Sequence, residues 1–151
     1  AGYAALNANY VMTELAKAGF DLAFPQRRAS HEFVVTLKKQ AQLSGANAMD
    51  FAKALLDRDM HAPTTYFPLL VPECLLIEPT ETESKRTLDD FIAAMTEILG
   101  ETASDAAKCK TAPVSTPIRR LDDVRAARKL DVRYLPPETE TGAKIVEAHR
   151  N

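Results

Sequence analysis

The chain has 151 residues, 46% of them hydrophobic and 26% charged, with a formal net charge of −2. That length suits one domain or a piece of a larger protein, and folding would bury roughly 70% of the unfolded surface. The small net charge gives no electrostatic reason to expect nucleic acid, and no apolar run approaches the ~20 residues needed to span a bilayer.

In chain order, residues 1–18 predict a helix, with Leu6, Tyr10 and Leu15 near one face and Gly19 as its stop. Residues 20–24 form a short apolar piece ended by Pro25. His31-Glu-Phe-Val-Val-Thr-Leu37 is β-branched and apolar, and predicts a strand. Residues 38–45 read as a polar connection. Asn47 with Asp50 predicts a capping box opening a helix that carries Phe51, Ala52, Leu55 and Leu56 and ends near Asp59. Residues 64–67 and 75–78 predict two strands, with 68–72 as the bend, because proline cannot donate to a ladder.

Thr80-Glu-Thr-Glu83 has the spelling of a capping box, and Glu78, Glu81 and Glu83 suit the positive end of a helix dipole. Leu88, Phe91, Ile92, Met95, Ile98 and Leu99 give the clearest amphipathic helix. The pattern fades after Gly100, and residues 103–110 predict a further short helix. A Pro/Thr linker follows at 111–117. Residues 119–133 are charged and weakly helical, and Pro136-Pro137 opens a polar tail.

This order of elements predicts an α+β fold: a small, mostly antiparallel sheet with helices packed on one face. The expected division is a domain over 1–110 and a linker with a charged, partly ordered tail over 111–151. Cys74 and Cys109 lack metal-ligand spacing and read as free thiols in a reducing compartment. The start Ala1-Gly2-Tyr3-Ala4 has no signal-peptide pattern. It also lacks methionine, so the chain is expected to begin inside a longer protein.

Candidate chemistry centres on the 61–85 stretch, which sets a histidine and four prolines around two short apolar runs. His61 either serves as a donor or acid–base group beside a substrate, or completes a helix C-terminus. His31 and Glu32 pose the same choice at a strand start. Glu78, Thr80, Glu81 and Glu83 either pair as carboxylates or cap a helix, and capping explains their spacing. No phosphate-binding glycine loop and no nucleophile elbow is present. Arg119, Arg120, Arg125, Arg128, Lys129 and Arg133 make a locally basic segment that either docks an acidic partner or stays solvated.

Five segments together carry a resemblance. They are Asn7-Ala-Asn-Tyr10, His31-Glu-Phe-Val34, Ala52-Lys-Ala-Leu-Leu56, His61-Ala-Pro-Thr-Thr-Tyr-Phe-Pro68 and Ile77-Glu-Pro-Thr-Glu-Thr-Glu-Ser-Lys85. In order and with these gaps they resemble glycine dehydrogenase (decarboxylating), the P-protein of the glycine cleavage system. The run Thr116-Pro-Ile-Arg-Arg-Leu-Asp-Asp-Val-Arg-Ala-Ala-Arg128 is similar to the tail of subunit 2 in the two-subunit bacterial form. The resemblance runs to about Tyr134. It departs at Asp59-Met60, where the family usually has Gly-Phe, and at Ala29-Ser30.

The resemblance implies the small C-terminal domain of a fold-type I pyridoxal-phosphate enzyme. It implies glycine as substrate, and partners in the large cofactor domain, in subunit 1 and in the lipoylated H-protein. No nucleic acid or membrane partner is implied, and the location is cytoplasmic. The cofactor lysine lies upstream in the family, so no pyridoxal phosphate is expected on this piece, and the piece alone is expected to be inactive. His61, Thr64 and Thr65 are the residues expected to line the active site, with Thr80 and Glu81 beside them. No catalytic residue and no metal ligand is assigned. Two other readings stay open: an assembly module without site residues, and an unrelated binding protein that has borrowed the domain.

Overall fold

The computed structural model describes residues 1–134. Two compact units divide the chain, one over Ala1–Arg120 and one over Leu121–Asn151. The first unit holds α1 (Gly2–Lys17), β1 (Asp21–Leu22), β2 (Phe33–Thr36), α2 (Lys38–Ser44), α3 (Ala48–Leu56), β3 (Thr64–Thr65), β4 (Cys74–Ile77), α4 (Lys85–Ser104) and α5 (Ala106–Thr111). Its four strands form one antiparallel sheet in the order β1-β2-β4-β3. The fold is therefore α+β, as its order of elements predicts.

Sheet register decides which residues meet the helices. Phe33 pairs with Ile77 and Val35 with Leu75. Directly opposed residues share a face, and these four join the buried cluster that includes Val11 and Leu15 of α1, Phe51 and Leu55 of α3, and Met95 and Ile98 of α4. Phe51 meets Phe20 edge-on, with ring centroids 6.4 Å apart. Val34, opposite Leu76, and Thr36, opposite Cys74, point to the other face. There the loop joining β3 to β4 lies against them: Thr36 Oγ1 donates to the Pro72 carbonyl at 2.7 Å, and the Cys74 thiol to the Pro68 carbonyl at 3.6 Å.

Several elements differ from expectation. The strand expected over 31–37 is confined to Phe33–Thr36, and the pair expected at 64–67 and 75–78 reduces to Thr64–Thr65 and Cys74–Ile77. Residues 38–44, expected as a connection, form α2, which buries none of its residues. Lys, Gln, Ala and Leu favour helix without any apolar period, so periodicity has nothing to detect there. Gly45 closes α2 at φ 71°, in the left-handed region that suits glycine. On α1 the buried face is Asn7, Ala8, Val11 and Leu15, while Leu6 is exposed and Tyr10 half-buried.

Two capping expectations part ways. At α3 the Asn47 side chain accepts from the Asp50 amide, and the Asp50 carboxylate accepts from the Asn47 amide, each at 2.9 Å. The expected capping box is present. At α4 the cap is Ser84, whose hydroxyl accepts from the Thr87 amide at 3.1 Å, and the first turn holds no acidic residue. Thr80 lies upstream in a turn, with its hydroxyl 2.8 Å from that of Thr82. The spelling repeats a capping signal four residues later, and the later one starts the helix.

Helix α3 ends at Leu56, three residues before Asp59, which takes φ 56°. Aspartate tolerates this left-handed backbone better than most residues. The chain thus makes the turn without the glycine usual in the resembled family. Both thiols are free and buried, and burial raises the pKa of each.

The expected linker at 111–117 is fastened to α3. Asp57 accepts hydrogen bonds from the Val114 and Ser115 amides and from the Ser115 hydroxyl, all within 2.9 Å. Arg120 pairs with Asp50 at 2.9 Å and also donates to the carbonyls of Ala112 and Cys109. In the second unit, α6 (Asp123–Arg128) is capped by Asp122, whose side chain accepts from the Arg125 amide. This is the weak helix expected over 119–133. The tail beyond Tyr134, including Pro136-Pro137, lies outside the described residues.

Candidate functional site

The first motif along the chain does its work on α1 by tying distant segments together. Asn7 Nδ2 donates to the Thr80 carbonyl at 2.8 Å, across 73 residues. Asn9 donates to the Ala29 carbonyl and accepts from the Ala29 amide. The Tyr10 hydroxyl donates to Asp89, whose other oxygen meets Lys85 Nζ at 2.7 Å. The Asn7 bond fixes the β4–α4 loop against α1, and with it one wall of a cleft, while Asn9 holds the β1–β2 loop and Tyr10 holds α4.

The cleft has a volume of about 450 Å³. Its apolar floor is Val11 of α1, Ile77 of β4, and Leu88 and Phe91 of α4. Asp59, Met60, His61 and Pro63 form one lip, and Glu78, Pro79, Thr80 and Glu83 the other. Arg58, just outside, bridges α3 to α4 by contacts to Glu97 at 3.1 Å and Glu101 at 2.8 Å, which holds the first lip in place. Burial alone would lower the pKa of this guanidinium, but hydrogen bonds to Glu97 and Glu101 and their charges raise it.

Of the residues expected at a site, His61 and Thr80 line this cleft, while Thr64, Thr65 and Glu81 do not. Thr64 and Thr65 fall on opposite faces of the sheet, since Thr64 pairs with Leu76 and Thr65 with Leu75. Glu81 is exposed in the loop before α4. Asp59 and Phe91 enter the lining without having been read from the sequence as site residues. Asp59 sits where only the turn geometry aims it, and Phe91 reads as core on any helical wheel.

An exposed imidazole with three carboxylates on an apolar floor can exchange protons with a small polar guest. It is less suited to an anion. The lining holds no lysine or arginine, so a phosphate dianion would meet carboxylates without a counter-charge. Among the described residues, no group of three or more His, Cys, Asp or Glu is placed to hold a metal ion. Nor is any helix there long and apolar enough to cross a membrane.

Residues 1–120 match the family described as glycine dehydrogenase, C-terminal domain. A probable glycine dehydrogenase (decarboxylating) subunit 2 of Nitrosospira multiformis is 64% identical over 137 residues, covering 91% of this chain and 27% of the relative. Its counterpart from Thiobacillus denitrificans is 65% identical, covering 90% of this chain and 28% of the relative. That from Coxiella burnetii is 58% identical over 141 residues, covering 93% and 29%. The chain spans a little over a quarter of the length of these curated relatives. With residues 1–120 matched, the chain belongs to the family of glycine dehydrogenase C-terminal domains.

Proposed function

We propose that this chain serves as the C-terminal part of a pyridoxal-phosphate-dependent glycine decarboxylase, an oxidoreductase of glycine catabolism in the cytoplasm. Its substrate is glycine, and its partners are a companion subunit 1, a large cofactor domain of fold type I and the lipoylated H-protein. The relatives' name, subunit 2, supports a companion chain. The observation that carries the reading is the family match over residues 1–120, which includes His61 and both lips of the cleft.

The residues of this cleft do not fit pyridoxal phosphate, because they offer carboxylates where the phosphate needs cations. Losing a carboxylate as carbon dioxide spreads charge, so a dry, rigid surround speeds it. In this reading the chain lids the active site, with His61 as a polar group beside the reacting centre and Thr80 held by its tie to Asn7. Thr64, Thr65 and Glu81, which lie outside this cleft, are in this reading further residues lining the active site of the complete enzyme.

The test is His61→Ala in the complete enzyme, read by glycine–bicarbonate exchange. The expected result is a fall of about 10²-fold with assembly intact. Unchanged exchange with intact assembly would favour the second reading, a module that only closes an interface. The observation behind that second reading is the exposure of Leu69 (87%) and Leu70 (95%) at the tip of the β3–β4 loop.

A further inference from the structure

Three of the five segments that carry the family resemblance meet at the His61 cleft. His61 stands on one lip, and Pro79, Thr80 and Glu83 of the β4–α4 turn stand on the other. The first segment, on α1, reaches that turn through Asn7.

Asn7 does not itself line the cleft. Only 8% of it is exposed, on a helix face it shares with Ala8, Val11 and Leu15. Val11, one turn further along α1, is part of the cleft floor. A side-chain amide on such a face is costly unless it is hydrogen-bonded. Here Nδ2 donates to the Thr80 carbonyl at 2.8 Å.

The same carbonyl accepts the Glu83 N–H at 3.2 Å, which closes the turn on itself. The Thr80 and Thr82 hydroxyls also meet within the turn, at 2.8 Å. Helix α4 is secured to α1 separately, by Tyr10 with Asp89 and Lys85. Among the described residues, the Asn7 amide thus makes the one hydrogen bond that joins residues 79–83 to another element. The opposite lip has its own anchor, Arg58 on Glu97 and Glu101 of α4. The spacing of the two lips depends on two separate ties, and Asn7 supplies the second.

We infer that Asn7 is a positioning residue for the reaction: its amide hangs the Thr80–Glu83 turn from α1 and so sets the spacing between that turn and His61. The inference rests on the reading of this cleft as active-site lining. Without the amide the turn stays closed, because the Thr80 carbonyl keeps the Glu83 N–H, but the lip is free to swing. The loss falls on how reacting groups are placed, and so on kcat more than on KM.

The experiment uses the complete enzyme and glycine–bicarbonate exchange. Asn7→Leu keeps the branched shape, favours helix and removes the donor. Asn7→Ala repeats the measurement without overpacking the helix face. Asn9→Leu is the control, because Asn9 ties the same helix to Ala29, away from the cleft. Both Asn7 variants are expected to lower kcat about tenfold, with KM for glycine within about twofold. Asn9→Leu should leave both constants near wild type. In a His61→Ala background, Asn7→Leu should cost less than about threefold more, because the spacing it sets is no longer used. A purely structural tie would lower the thermal midpoint of all three variants and leave kcat unchanged. That result would overturn the inference, as would an equal fall in Asn9→Leu or a full tenfold fall on the His61→Ala background. The reading of the cleft survives those outcomes if His61→Ala itself is impaired. If His61→Ala exchanges at the wild-type rate, that reading fails and the inference with it.

Discussion

The Asp50 carboxylate meets the Arg120 guanidinium at 2.9 Å while also closing the cap of α3. Asp50 is buried, and Arg120 keeps 34% of its side chain in solvent. One aspartate thus starts a helix and fastens a residue 70 positions away at the end of the compact unit.

Arg120→Ala should therefore destabilise the unit by about 1–2 kcal/mol. A fully buried pair losing one partner costs about 3–5 kcal/mol, and solvent on the arginine side lowers that figure. Arg120→Lys should recover only part, because lysine cannot reproduce the forked contacts to Asp50, Ala112 and Cys109. Denaturant midpoints of the three proteins check this, and equal midpoints would refute the clasp.

A second clasp makes stability depend on pH. Partial burial alone would raise the pKa of Asp57, but the hydrogen bonds from Ser115 and Val114 and the charge of Arg58 hold it below the ordinary aspartate value. A depressed carboxyl stabilises the folded state above the unfolded pKa of about 3.9. That contribution is lost as pH falls through the lower folded value. Thermal melts of wild type and Asp57→Asn should differ by a constant gap above about pH 5, and that gap should shrink as pH falls through the lowered folded value. A gap that widens in acid would contradict the geometry.

The cap of α4 separates two serviceable signals. Ser84→Ala should cost about 1 kcal/mol, the usual value of a lost N-cap. Thr80→Ala should stay within about 0.5 kcal/mol, because its hydroxyl meets only Thr82 and its carbonyl, which holds Asn7, remains. Chemical denaturation followed by helical circular dichroism distinguishes the two. A larger loss at Thr80 would return the cap to the earlier spelling.

Local chemistry carried a large part of this protein in its sequence. The Asn47–Asp50 box, the stop at Gly19 and the amphipathic run from Leu88 to Leu99 each lie within a few turns of contiguous chain, where the backbone's own geometry decides the outcome. The five spaced motifs likewise pointed to the family, which the match over residues 1–120 bears out. Tertiary structure alone decided what those motifs touch. Asn7 reaches Thr80 and Tyr10 reaches Asp89 across 73 and 79 residues, and no local period encodes such a partner. The same holds for the cleft: His61 and Thr80 line it while the neighbouring Thr64 and Thr65 do not. A strand turns alternate side chains to opposite faces, and only the packed sheet fixes which face is which.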